Sequence, residues 1–237
     1  MADEPKSGTS GSSKYYRKAI EEDKRRSSTG FLLFAIGLFL AWIPYVQYLG
    51  DLLLFIGILM IFFGRNGFSD NHVLNVDIAI FLIILMIIIA IIVTVISAST
   101  IASLNLSNNS GTITSSQALH QLSAIFSTYL GAMIVVSLIG GISYVLIPYD
   151  LLEKSWRFLL IIAFLIMVGI SITSYVLVSG LISNIISNAG TSSFLTIAAN
   201  AQGQATLHGL LAAIPDILLG IIYLHARTRI EWGVAKE

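Results

Sequence analysis

The chain has 237 residues, 56% of them hydrophobic and 11% charged, and its formal net charge is zero. Those proportions belong to membrane proteins, and the lack of excess clustered cations argues against a nucleic-acid partner. Cysteine is absent, which excludes disulfides, thiolate metal sites and cysteine nucleophiles.

Residues 1–28 form a polar tail. Its opening, MADEPKSGTSGSS, is rich in Gly, Ser and Pro and is expected to be disordered. The run KYYRKAIEEDKRR from Lys14 to Arg26 holds good helix formers and predicts a short basic helix at the membrane surface, where positive charge anchors it. No apolar stretch with a small-residue cleavage site follows charges within the tail, so the first apolar segment is the expected insertion signal.

A transmembrane hairpin is expected over 29–65. Segment one, 29–48, contains Pro44, whose missing N–H kinks the helix or ends it early. Segment two, 50–64, reaches only about 22 Å against ~30 Å of hydrocarbon. The pair therefore reads as a tight, partly thinned hairpin. Gly30 and Gly37 are spaced by nearly two helical turns, as are Gly50, Gly57 and Gly64. Each set lines one face and lets a second backbone approach.

Residues 66–227 predict a four-helix transmembrane region with segments at 74–97, 117–147, 156–182 and 205–226, followed by a tail over 228–237. The stretches 98–116 and 183–204 are uncharged and rich in Ser, Thr and Asn, and are expected as outer loops. Two sequons in the first of them make Asn105 and Asn108 glycosylation candidates. ALHQLSA at 118–124 recurs as TLHGLLA at 206–212, so 74–147 and 156–226 read as duplicated hairpins of the same orientation. His120 and His208 occupy equivalent positions in that repeat. A shared haem or metal is set aside because they stand at unequal distances from the inner ends of their segments, and no cofactor or metal is expected.

The cations order the topology. Lys6, Lys14, Arg17, Lys18, Lys24, Arg25 and Arg26 precede the first segment, and Arg65, Lys154, Arg157, Arg227, Arg229 and Lys236 fall in alternate gaps or the tail. Lys and Arg near segment ends resist translocation, which puts both termini in the cytoplasm.

Asp216 lies near the middle of segment six, where a charged Asp costs roughly 2.5 to 3.5 kcal/mol on insertion scales. Pro215 frees the carbonyl of Leu211, segment five brings Ser171, Thr173 and Ser174 to comparable depth, and segment four brings Ser137 and Tyr144. With no cation inside the membrane, this polar cluster reads either as a proton or monovalent-cation site or as a neutral, hydrogen-bonded carboxyl that orients two helices. Asp51 and Asp150 fall on opposite surfaces and cannot form a carboxylate dyad. Asp77 reads as a helix-start charge favoured by the macrodipole, and Asp70 with His72 is an isolated pair.

The opening segments, GFLLFAIGLFLAWIPYVQYLGDLLLFIGILMIFFG, resemble the glycine-spaced first hairpin of uncharacterised archaeal multi-pass membrane proteins. The resemblance implies an archaeal cell membrane and an unassigned activity. It carries over no catalytic residues.

The expected fold is an all-α, polytopic transmembrane bundle of about six helices in a lipid bilayer. No Walker loop, HExxH, GxSxG or GxGxxG string is present, so a non-enzymatic role is expected, as a homo-oligomer or as an accessory or structural subunit of a membrane complex. The alternative is a small proton- or cation-coupled transporter or channel that uses Asp216.

Overall fold

A computed structural model describes residues 10–109, 115–187 and 194–233. Among them the chain forms six α-helices, a short 3-10 turn and no strand, and the protein is all-α. The helices are α1 (Ser10–Ala41), α2 (Gln47–Gly64), α3 (Asp70–Asn109), α4 (Ser115–Tyr149), α5 (Lys154–Ser187) and α6 (Phe194–Glu231), with the 3-10 turn at Arg65–Gly67. Four stretches of the described residues are long and apolar enough to cross a bilayer: Gln47–Gly67, Asp70–Thr100, Ser123–Tyr149 and Lys154–Gly180. This is a membrane protein.

Three boundaries differ from the sequence expectation. The basic helix and segment one are a single helix, α1, which already begins at Ser10. Ser27, Ser28 and Thr29 do not break it. Ser27 and Ser28 are buried, and the Thr29 hydroxyl donates to the Arg25 carbonyl at 3.1 Å. Lys24, Arg25 and Arg26 thus run straight into the apolar part, and residues 27–41 give only about 22 Å of uncharged helix.

The helix then stops after Ala41. Pro44 has no N–H to return to the preceding turn and disfavours helical geometry in the residue before it. Tyr45 turns the chain with φ of 68°, and α2 starts at Gln47 rather than Gly50.

The third difference is in the presumed outer loops. Helix α3 runs to Asn109, α4 begins at Ser115, α5 runs to Ser187 and α6 begins at Phe194, so much of 98–116 and 183–204 is helical. Ser99 and Thr100 show how polar residues continue α3. Both hydroxyls donate to the Ile96 carbonyl at 2.8 Å, which satisfies them within the helix.

The chain divides into two compact units, one of residues 1–80, 146–160 and 217–237, the other of 81–145 and 161–216. All Lys and Arg residues belong to the first by number, and Asp216 is the sole charged residue of the second.

In the first unit the hairpin is held by its glycines. A Cβ on Gly37 would lie 2.8 Å from the Gly50 carbonyl oxygen, and one on Gly50 would lie 2.9 Å from that of Gly37. Gly30 and Gly57 make the same reciprocal approach one step of seven residues further along. The next step sets Gly64 against the Asp23 carbonyl and Ser27, and a Cβ on Gly67 would lie 3.0 Å from the Lys24 amide nitrogen. Each step of two turns down α1 is a step of two turns up α2, so one spacing serves both helices.

Helix α6 supplies the other half of this core. Phe31, Phe34, Leu38, Leu219, Ile222 and Tyr223 are at most 2% exposed. The Tyr223 ring stacks on Phe34 at 4.4 Å and tilts against Phe31 at 5.4 Å. Gly220 makes room for Phe39, whose Cε1 lies 2.7 Å from where a Cβ would stand.

In the second unit, a Cβ on Gly141 would run into Met167 and Phe164, and one on Gly140 would lie 2.8 Å from the Met86 sulfur. Compact residues here admit long flexible ones rather than another backbone.

Candidate functional site

Polar side chains of the first unit tie helix ends together. Gly64 ends α2, and the 3-10 turn that follows returns Arg65 over the Phe62 ring, 3.9 Å from its centroid. Arg65 Nη1 donates to the Phe62 carbonyl at 2.6 Å, and Nε reaches Asp77 Oδ1 at 2.8 Å. Asp77 is therefore an ion-pair partner two turns into α3, not a helix-start charge, because α3 begins at Asp70.

Further along the same rim, Asn75 Nδ2 donates to Asp150 Oδ2 at 2.6 Å. Arg229 pairs with Glu153 at 2.7 Å, beside a face-to-face stack of Trp156 on His225 at 3.9 Å and 10°. Ser28 Oγ donates to Glu231 Oε1 at 3.1 Å, and the same oxygen takes Arg227 Nη2 at 2.8 Å. Arg157 Nε closes the α4–α5 turn by donating to the carbonyls of Tyr149 and Leu152 at 2.9 and 3.0 Å. Apart from Arg227 with Glu231, which are one turn apart within α6, each contact joins two elements or closes a turn. Together they make a clamp of ion pairs and hydrogen bonds at the helix ends.

His72 is fully buried, edge-on to Phe68 at 4.8 Å. Neither ring nitrogen has a hydrogen-bond partner among the described residues. Asp70 is exposed, and residues two apart on a helix do not face each other. No group of three His, Cys, Asp or Glu residues that could hold a metal ion occurs among the described residues.

Asp216 is half-buried, one residue beyond the buried Pro215, and α6 continues through both. The expected hydroxyl partners are committed elsewhere. Ser171, Thr173 and Ser174 donate to the carbonyls of Met167, Gly169 and Ile170 at 3.0, 2.8 and 2.5 Å. Among the described residues no hydrogen bond joins any of them to Asp216. A Ser or Thr in a helix takes its own carbonyl one turn back unless a better partner is aimed at it.

Asn105 and Asn108 lie in the last turns of α3, and His120 and His208 lie within α4 and α6. Their side chains fall outside the described residues. Asp51 is exposed in the first turns of α2, whereas Asp150 is occupied by Asn75.

The contacts that sequence reasoning missed are Arg65 with Asp77, Asn75 with Asp150 and Arg229 with Glu153. For the two ion pairs the available signal was an acid near the same end of the segments as each cation; for Asn75 with Asp150 there was none. Compared with protein families, with curated proteins and with solved structures, the chain matches none.

Proposed function

We propose that this is a non-enzymatic, multi-pass protein of the cell membrane, with both termini cytoplasmic, that acts by packing against other membrane chains and first of all against copies of itself. The observation that carries this reading is a contrast among its glycines. A Cβ on Gly30, Gly37, Gly50 or Gly57 would lie 2.7 to 2.9 Å from partner backbone, whereas one on Gly131 of α4 or on Gly169 or Gly180 of α5 would meet nothing within 4 Å. Gly169, Thr173, Val176 and Gly180 recur at helical spacing and are all exposed. Only 6% of an 18-residue apolar window within Lys154–Gly180 is buried. In lipid, helices associate where small residues let backbones approach, and this face of α5 offers such a surface.

The natural absence of cysteine makes the test clean. Gly169→Cys and Gly180→Cys, oxidised separately in native membranes, are expected to give disulfide-linked dimers, while Val178→Cys on the opposite face gives none. A protein that forms no cross-link at either glycine and has the mass of one chain in mild detergent would overturn the reading.

Asp216 supports a second reading, a small proton- or cation-coupled transporter or channel. It is a half-buried carboxyl within α6, and the second unit supplies no cation to neutralise it. Intramembrane carboxylates of this kind often mark ion pathways. Asp216→Asn is then expected to abolish a cation- or proton-driven flux in liposomes. Undiminished flux in the variant, or none in the parent, removes this reading.

A further inference from the structure

Hairpin packing uses one side of α1 and leaves another open. Beside α2 lies a groove of about 590 Å³ whose rim carries Lys18, Glu21, Glu22, Arg25 and Arg26. Thr29 and Met60 are the uncharged part of its lining, which we take as its floor. A second recess shares Lys18 and Glu21 with it and adds Lys14, Tyr15 and Arg17. Positions 14, 18, 21, 25 and 29 recur every three or four residues, so they form one stripe along the helix.

The rim is cationic on balance. Arg26 is taken by Glu22 at 3.2 Å and Asp23 at 3.9 Å. Lys14, Arg17, Lys18 and Arg25 are exposed, and among the described residues none is in an ion pair. Glu21 is the one rim carboxylate with no such partner there.

Depth separates rim from floor. Charged side chains are excluded from hydrocarbon, so the charge run that ends at Arg26 marks where α1 leaves it. Residues 27–41 are uncharged, and Met60 precedes Ile61, whose carbonyl takes the Ser27 hydroxyl, so exposed Thr29 and Met60 lie on the apolar side of Arg26. A cationic rim over an uncharged floor fits a molecule with an anionic head and an apolar tail.

We propose that this groove binds an anionic phospholipid, with Lys18 and Arg25 holding the phosphate and the start of an acyl chain laid past Thr29 and Met60. The Arg25 guanidinium offers the paired donors that match two phosphate oxygens, and Lys18, about two turns away, adds a point charge. Glu21 leaves an acceptor for headgroup hydroxyls. Free phosphate shares the rim chemistry but has nothing to place on the floor.

The test uses the full chain, purified and delipidated in mild detergent, with native mass spectrometry reading lipid retention. Phosphatidylglycerol is expected to bind at least about tenfold better than phosphatidylcholine, and Lys18→Gln/Arg25→Gln to lose most of that preference, since each lipid-facing cation is worth severalfold in affinity. Both side chains are exposed, so helix content by circular dichroism should be unchanged. Met60→Trp, which fills the floor and keeps every charge, should weaken phosphatidylglycerol binding severalfold. Equal retention of the two lipids overturns the proposal, as does a folded double variant that keeps the preference. Soluble glycerol phosphate that competes as well as the lipid, with Met60→Trp silent, would make the groove a phosphate site and overturn the lipid assignment.

Discussion

Gly30 and Gly57 each stand where the other's side chain would have to go. A Cβ on Gly30 would lie 2.7 Å from the Gly57 carbonyl oxygen and 2.8 Å from the Ile61 nitrogen, and one on Gly57 would lie 2.8 Å from the Phe34 nitrogen. These obstacles are backbone, so no rotamer change relieves them. Gly57→Ala is expected to cost about 1 to 3 kcal/mol through overpacking. Gly131→Ala, with nothing within 4 Å, should be neutral or stabilise by about 0.5 to 1 kcal/mol through helix propensity. Denaturant unfolding in detergent, followed by circular dichroism, separates the two, and equal costs would refute the seam.

Tyr223 tests how far α6 belongs to the same core. It is fully buried and stacks on Phe34. Lipid also solvates apolar groups, so the loss on truncation is mainly of packing and of the cavity left behind. Tyr223→Ala should therefore cost roughly 2 kcal/mol, below the usual range for buried aromatics in water. Faster proteolysis of the 217–231 stretch in the variant is the expected companion result.

For the bond from Asn75 to Asp150, both groups are partly exposed, and water can replace whichever partner is removed. Asn75→Ala and Asp150→Ala should each cost about 1 kcal/mol. The double variant should cost less than the sum. A strictly additive cycle would mean that the 2.6 Å contact contributes nothing.

Arg65 and Asp77 should respond unequally. The ion pair is partly exposed, with Asp77 45% accessible, so Asp77→Asn is expected to cost at most about 1 kcal/mol. Arg65→Lys keeps the charge yet loses the planar group that covers the Phe62 ring and donates to its carbonyl. It should cost at least as much as Asp77→Asn in the same unfolding assay; a silent Arg65→Lys would reduce the site to simple charge pairing.

Which features were legible in the sequence follows from how local their physics is. The glycine spacing could be read because two turns of helix are nearly seven residues wherever the partner stands. The continuity of α1 could not, because Ser27, Ser28 and Thr29 look like an interruption until the Ile61 carbonyl, the Glu231 carboxylate and the Arg25 carbonyl are seen to take their hydroxyls. Likewise Ser99 and Thr100 read as loop residues, although the Ile96 carbonyl absorbs both hydroxyls. The partner of Asp77 depends on the 3-10 turn that swings Arg65 back, a geometry that no spacing rule supplies. Depth along a segment put Ser171, Thr173 and Ser174 level with Asp216, but depth does not say where a hydroxyl donates.

The uninterrupted α1 has a mechanical consequence. Its 32 residues make a rod of about 48 Å, one end standing outside the hydrocarbon and the other wedged against α2. Because no hinge separates the two ends, a tilt or twist applied near Lys14 reaches Gly37 unless a helical turn is broken on the way. The exposed end is thus a handle on the interior: whatever grips it exerts torque on the hairpin.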